Sequence, residues 1–330
     1  MQRYKGIFVE LPQEITGLML HLDYNILIDK FIAHLDIASI SRIAYRNSIK
    51  QFFLWFIKNN IYNPDRETIL AYKKYLDEKG LKPYTRSAYL VAVRLFFAWT
   101  ESLKIYPNIA NGIRGAKKSV KAHNKNSLTI PHVKSLLEGI DRRDLYGKRD
   151  YAIINLLIST GLRLIEVSRA DIGDLQPTED GEEALLWIRG KGRDGKEEFV
   201  VVTREAVEPI MEYLAARKAK NIQAPLFTSL GNRSYGKRLI INTLSRVIKK
   251  HLSNIGLSSS RYTAHSLRHT FGVLCMHSGA SLHEVQLAMR HNTPTTTQVY
   301  LGDIEQQKRL KDAPERKLRA YLLREGIWAT

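Results

Sequence analysis

A break in the apolar pattern before the middle of the chain constrains its fold more than any other feature. Residues 108–127 read NIANGIRGAKKSVKAHNKNS, which is rich in asparagine, glycine and lysine and poor in large apolar side chains. Such a stretch is typical of a linker or a long loop. Apolar periodicity is present on both sides, and 330 residues suffice for two domains that each bury a core. We therefore expect a helical domain over residues 22–106, a basic linker over 107–126 and a second domain over 127–303.

The first domain has the apolar spacing of a helical bundle. Four helices are predicted, over about 23–35, from about 39, within NPDRETILAYKKYLDEKG (63–80) and over about 85–103. Pro64 is expected in the first turn of the third helix. The fourth helix carries a stripe that favours bundle core over a base-stacking surface, namely Tyr89, Val93, Phe96 and Phe97.

The second domain mixes helices with two strand-like runs. Pro131 can open a helix in SLTIPHVKSLLEGI, and YAIINLLIST (151–160) reads as a helix ended by Gly161. The strand-like runs are ALLWIR (184–189) and EEFVVV (197–202). Further helices are predicted over about 203–220, 239–254, 265–278, 281–289 and 294–301, followed by a charged amphipathic tail helix over 304–324. The chain is thus predicted to be mainly α with a small β-sheet, flanked by an extension over 1–21 and a tail over 304–330.

The charge balance indicates a polyanionic partner. Lysine and arginine number 51 against 33 acidic residues, which gives a net charge of +18 and a pI near 9.8. Nucleic acid is the usual partner of such a surface, with a ribosomal or membrane-surface protein as the alternative. Residues 1–121 hold 19 of the basic and 10 of the acidic residues, so each part of the chain has the same net charge. Both domains are expected to face the same polyanion.

Cys275 is the only cysteine, which excludes an intramolecular disulfide and favours a reducing compartment. We expect it to lie on a buried helix as inert packing. No signal peptide opens the chain, and no apolar run approaches the ~18 residues of a membrane span. A cytoplasmic, nucleoid-associated protein is expected.

The glycines of GKGRDG (190–195) match a dinucleotide-binding pattern, but they lie between two strands with no helix start after them. A β-hairpin turn is therefore favoured over a nucleotide site. The turn carries Lys191, Arg193 and Lys196, and a flexible hairpin could bring one lysine to a phosphate.

Arginine and histidine residues elsewhere in the second domain suit an anion. Arg163 and Glu166, three residues apart, would usually form a surface salt bridge of little value, although the turn at Gly161 could aim the guanidinium at a bound anion. His265 and Arg268 lie near a predicted helix N-terminus, where phosphate is favoured. Two adjacent solvated cations would repel each other unless an anion lay between them.

Tyr300 follows His291 in the same basic segment. A lone tyrosine is usually a packing or surface group, because its pKa near ~10 makes it a poor nucleophile at neutral pH. Cationic neighbours favour the phenolate, so this set of residues suggests phosphodiester chemistry.

Four segments, in this order, resemble the conserved boxes of the tyrosine recombinase (phage integrase) family. They are TGLRLIEV (160–167), GKG (190–192), HSLRHTF (265–271) and MRHNTPTTTQVY (289–300). The resemblance extends over essentially the whole chain. It implies an N-terminal four-helix core-binding (SAM-like) domain joined to a mixed α/β catalytic domain. The segment before the first helix is short for a separate arm-binding domain, which favours a simple Xer-like recombinase or a mobile-element integrase.

The resemblance also implies a mechanism. Tyr300 would attack the scissile phosphate to give a 3′-phosphotyrosyl link and a free 5′-hydroxyl, with no cofactor and no metal. Arg163 and Arg268 would bind the non-bridging oxygens and stabilise the transition state. Lys191 would protonate the leaving 5′-oxygen.

The remaining carried-over roles belong to two histidines and a glutamate. His265 would act as general acid/base, His291 would hydrogen-bond a phosphate oxygen, and Glu166 would orient the site. One position departs from the family pattern, because Arg290 stands where a glycine usually precedes the second histidine. Arg290 is expected either to adopt a strained backbone or to add a DNA contact.

The partners implied are double-stranded DNA recombination sites, a homo-tetramer in the synaptic complex and an accessory directionality factor. The tail helix would dock on a neighbouring protomer, or pack on its own domain. Further DNA contacts are predicted for Arg114, Lys117, Lys118, Lys121, Arg193, Lys196 and Arg290. The alternatives to a recombinase are a type IB topoisomerase and a DNA-binding regulator that has lost catalysis.

Overall fold

The structure is a computed structural model, and it describes residues 24–61, 63–115, 126–189, 195–291 and 313–327. The chain divides into two compact units, residues 1–120 and 121–330. Each unit has its own core of buried apolar side chains.

The first unit contains four helices, α1 (Tyr24–His34), α2 (Ser39–Lys58), α3 (Arg66–Glu78) and α4 (Pro83–Ser102). Helix α3 begins at Arg66, later than expected, because Asp65 is its N-cap. The Thr68 amide donates to the Asp65 carboxylate at 2.8 Å, which leaves Pro64 before the cap and outside the helix. Helix α4 begins earlier than expected, with Pro83 in its first turn.

The core of the first unit is aromatic. The expected stripe on α4 is confirmed as core, since Val93, Phe96 and Phe97 are fully buried and Tyr89 packs against them. Phe52 of α2 contributes a ring in edge contact with Tyr72 of α3, with their centroids 5.0 Å apart. Such edge-to-face pairs add specificity to burial, so this contact favours one arrangement of α2 against α3.

The second unit surrounds one buried helix. Its helices are α5 (Ile130–Glu138), α6 (Leu145–Thr160), α7 (Leu164–Arg169), α8 (Arg204–Ala216), α9 (Ile241–Asn254), α10 (Ala264–His277), α11 (Leu282–Ala288) and α12 (Pro314–Arg324). Helix α6 begins six residues before the predicted stretch, at an Asp144 cap that accepts from the Gly147 amide at 2.7 Å. Ten of its residues are buried, and it packs against α8, α9 and α10. It therefore fixes where the helices that carry the candidate residues can lie.

The sheet is antiparallel, with strand order β1 (Leu175–Pro177), β2 (Ala184–Ile188) and β3 (Glu198–Val202). Strands β2 and β3 form the predicted hairpin, in the register Leu186 opposite Val200. Strand β1 was not predicted, because three residues are too few to show alternation. It pairs with β2 in the register Leu175 opposite Leu186.

Cys275 lies on α10 as expected, but it is half-buried and not fully buried. Burial raises the pKa of its thiol, which keeps it protonated and unreactive.

No side chain of α12 is buried, and Leu318 is 54% exposed. None of the helices in the described ranges is long and apolar enough to cross a membrane.

Candidate active site

The site is built on two turns of the second unit that face α10. The first turn joins α6 to α7, where Gly161 ends α6 in the left-handed conformation with φ +60°. A Cβ atom on Gly161 would lie 2.4 Å from the ring of Phe271 on α10. The turn therefore lies directly against α10, and only glycine fits there.

Gly161→Ala is expected to lower the free energy of unfolding by about 3 kcal/mol. About 1 kcal/mol comes from the left-handed backbone and the rest from overpacking against Phe271. Gly181→Ala is the matched control, since Gly181 has φ +70° and no atom within 4 Å of its added Cβ. Urea denaturation of both variants measures the difference. Equal losses would show that the contact with Phe271 has no cost.

Arg163 is held immediately after this turn by Glu166. The Arg163 amide donates to Glu166 Oε2 at 2.7 Å, and Arg163 Nη1 donates to Oε1 at 2.9 Å. Glu166 is only 1% exposed, so the pair is not the surface salt bridge that its spacing would usually indicate. A buried carboxylate with two such bonds fixes the direction of the guanidinium.

Arg268 joins the two turns from α10. Its side chain is buried, and its guanidinium donates to the main-chain oxygens of Gly161 and Met289. Each carbonyl carries partial negative charge, so the two main-chain oxygens compensate part of the charge of Arg268. His265 lies on the same helix nearer its N-terminus, and it is exposed.

The second turn follows α11 and carries Arg290 and His291. Arg290 has φ +53°, the left-handed conformation that glycine adopts without strain. Its Nη2 donates to Glu166 Oε2 at 2.9 Å, and its main-chain oxygen accepts from Arg163 Nη2 at 3.1 Å. The strained backbone expected for Arg290 is therefore present. Its side chain is 8% exposed and bonded to Glu166, which leaves little surface for the alternative, a DNA contact.

His291 lies in a strongly cationic environment. Burial, and then the charges of Arg268, Arg163, His265 and Arg290, lower its pKa to about 4. The imidazole is therefore neutral at neutral pH. An anion bound among these groups would oppose both the repulsion and the shift.

Glu166 remains ionised in this environment. Burial by itself raises its pKa, but the charge of Arg290 and the hydrogen bonds from Arg163 outweigh burial and leave the pKa below its usual range. The arrangement can bind an anion, since Arg163, Arg268 and Arg290 converge there and, within the described ranges, Glu166 is the carboxylate that is bonded to this group.

A family model decides which class of protein carries this site. The model of the phage integrase family matches residues 126–307, which is more than half of the chain. The chain belongs to the phage integrase family.

Its relatives in this family are tyrosine recombinases that it matches along most of their length. The tyrosine recombinase XerC of Thermodesulfovibrio yellowstonii is 30% identical over 290 residues, covering 83% of this chain and 90% of the relative. XerD of Pseudomonas putida is 26% identical over 283 residues, covering 83% and 91%.

Solved structures share the phage integrase fold. The XerH recombinase in a post-cleavage complex with a palindromic difH substrate has a TM-score of 0.68 at 22% identity, covering 83% of this chain and 79% of that one. A lambda integrase dimer bound to a COC′ core site has a TM-score of 0.62 at 17% identity, covering 84% and 76%. The predicted fold class, mainly helical with a small sheet, is confirmed.

The structure brings together only part of the predicted integrase site. Arg163, Glu166, Arg268 and His291 lie around the two turns, and the charge of His265 acts on His291. Several predicted residues lie outside the described ranges, namely Tyr300, Lys191, Arg193, Lys117, Lys118 and Lys121. For these the assigned roles stay predictions.

Besides Arg290, two predicted DNA contacts lie in described segments. Arg114 is exposed in the first unit. Lys196 is partly exposed, and its ammonium contacts Asp174 at 2.6 Å and Asp171 at 3.2 Å. In the structure Lys196 thus joins the segment before β3 to the turn that precedes β1.

The sequence did not reveal the bond between Arg290 and Glu166. The two residues are far apart in the chain, and an isolated arginine before a histidine carries no spacing signal. The main-chain oxygens that hold Arg268 were equally hidden, because a carbonyl is present at every residue. Only the departure from glycine at position 290 marked the turn as unusual.

Proposed function

We propose that this chain cleaves and rejoins duplex DNA at specific sites through a covalent 3′-phosphotyrosyl link formed by Tyr300. The observation that carries the proposal is the way in which main-chain oxygens hold Arg163 and Arg268. Arg268 donates to one main-chain oxygen of each turn, Gly161 and Met289, and Arg163 donates to the Arg290 oxygen of the second turn. They are held close to neutral His291 before any anion binds, which is the preorganisation that a charged transition state requires.

In the proposed reaction one ester replaces another. The Tyr300 oxygen bonds to phosphorus while the bond from phosphorus to the 5′-oxygen breaks. His265 accepts the phenol proton, and Lys191 gives a proton to the leaving oxygen. Arg163 and Arg268 bind the two non-bridging oxygens as charge builds on them, and His291 donates a hydrogen bond. The reverse attack by a 5′-hydroxyl reseals the strand, so neither ATP nor a cofactor is consumed.

We further propose that four protomers act on two duplexes in a cytoplasmic, nucleoid-associated complex, with an accessory factor setting direction. The exposed apolar side chains Leu318 and Tyr321 of α12 support a contact with a neighbouring protomer. Chromosome-dimer resolution and integration of a mobile element are both reactions of this type. The direct test of the chemistry is covalent trapping on nicked duplexes that carry candidate sites.

DNA affinity is expected to fall steeply with salt. Neutralising six to ten phosphates releases their counterions, so the dissociation constant should rise at least about 10³-fold between 50 and 200 mM salt. Fluorescence anisotropy on a labelled duplex measures this slope. Circular dichroism at each salt concentration controls for unfolding. A flat response would contradict binding through phosphate contacts.

A further inference from the structure

Arg290 is an arginine of the two turns to which the proposed mechanism gives no role. Its side chain is 8% exposed, and its guanidinium donates to Glu166 Oε2 at 2.9 Å and to the Ala288 oxygen at 2.7 Å. A left-handed backbone at a residue other than glycine costs free energy. Such strain persists only where the surrounding contacts hold it, and at Arg290 these contacts include the bonds to Glu166 and Ala288.

Arg163, Glu166 and Arg290 form a closed ring of hydrogen bonds. Arg163 donates to both carboxylate oxygens of Glu166, Arg290 donates to one of them, and the Arg290 main-chain oxygen accepts from Arg163 Nη2 at 3.1 Å. Three donors thus share one carboxylate. Arg163 is held on one edge by the carboxylate and on another by the Arg290 carbonyl, so its guanidinium has one orientation.

The ring also has a net charge that a simple pair would lack. Arg163 with Glu166 alone would be neutral, and a neutral pair attracts a phosphate weakly. With Arg290 included, two cations share one anion and one positive charge remains. Because Glu166 is buried, solvent screens this charge less than it would at the surface.

We propose that Arg290 is a positioning residue for strand cleavage: it shares the carboxylate of Glu166 with Arg163, and so keeps Arg163 fixed and leaves the three-residue ring with a net positive charge toward the scissile phosphate. This inference rests on the proposed function. Arg290 acts through Glu166 and Arg163 and does not itself touch DNA.

The surroundings of Glu166 give the inference a dependence on pH. Arg163 at the start of α7 and Arg290 after α11 face the carboxylate, while the charges of Arg268 and His265 of α10 act on the neighbouring imidazole of His291. The charge of Arg290 is the largest influence that lowers the pKa of Glu166 against burial. Without it the carboxyl group takes up a proton at higher pH, and a neutral acid no longer holds Arg163.

The test is the rate of covalent adduct formation from pH 5.5 to 8.5 on nicked duplexes, in single-turnover conditions. Arg290→Gly removes the cation and fits the left-handed backbone, so it should fold. Arg290→Gln is a second neutral variant, and Arg290→Lys keeps a charge. Lys218→Gly is the matched control, because Lys218 is an exposed cation of the same unit with φ +55°.

Arg290→Gly and Arg290→Gln are expected to lose about tenfold in rate per pH unit below the new pKa of Glu166. The wild type and Lys218→Gly should follow one common pH profile without this additional acid loss, and Arg290→Lys should recover part of it. Since nearby histidines also titrate, the double variant Arg290→Gly with Glu166→Gln identifies the group. Its rate should be low and should lack the extra acid dependence.

The outcomes separate the two claims. If the wild type forms an adduct and the neutral Arg290 variants keep its pH profile, the role of Arg290 is wrong and the proposed function stands. A loss of rate that is the same at every pH would also overturn the role, since a purely structural defect gives that result. Thermal unfolding of each variant measures such a defect directly. If the wild type forms no adduct at any pH, the proposed function fails and this inference fails with it.

Discussion

Replacing Tyr300 with phenylalanine is expected to abolish the covalent link to DNA, with a loss of at least about 10³-fold in adduct formation. The change removes only the phenol oxygen, which is the atom proposed to bond to phosphorus. Non-covalent affinity should stay within about twofold, because affinity comes from phosphate contacts spread over the basic surface. Denaturing gels of nicked-duplex reactions measure the adduct, and anisotropy measures binding.

Tyr235→Phe is the matched control for this loss. Tyr235 is an exposed tyrosine of the same unit, and its replacement should leave the adduct intact. The wild-type adduct should also survive EDTA, since the proposed reaction needs no metal. An adduct that persists in Tyr300→Phe would identify another nucleophile, and one that disappears with chelation would contradict the mechanism.

Arg268→Lys is expected to lower the cleavage rate by about 10²–10³-fold, the usual result of removing a transition-state donor. The guanidinium of Arg268 donates to both Gly161 and Met289, and a guanidinium carries five N–H donors in one fixed plane. A lysine has three donors on one atom and cannot span two carbonyls and an anion together. Single-turnover kinetics measure the loss.

Stability provides the second measurement on Arg268. Arg268→Ala leaves two buried carbonyl oxygens without this donor, so it should lower the free energy of unfolding by about 1–3 kcal/mol. Arg246→Lys is the control, since Arg246 is exposed on α9 and its bonds to described residues lie within its own helix. If Arg268→Lys cleaved at the wild-type rate, the geometry of the guanidinium would not matter and a positive charge would suffice.

Much of the fold could be predicted because helical periodicity is local. The apolar spacing of α2 and α4 gave these helices to within a few residues, and the glycine-rich turn gave the β2–β3 hairpin. The start of a helix was harder to predict where a capping residue follows a proline, as Asp65 follows Pro64 before α3. Strand β1 was missed because its three residues are stabilised by pairing with β2, which is not a property of its own sequence.

The sequence by itself determined the residue types at the site. Arg163, Arg268 and His291 stand in segments whose order and spacing identify the family, and spacing along a chain survives without coordinates. Only the tertiary structure decided how these groups are held. Glu166 is buried, Arg290 reaches it from another turn, and main-chain oxygens fix Arg268. The physical reason is that burial and hydrogen bonding depend on which distant segments pack together, and the charge and orientation of a guanidinium follow from that packing.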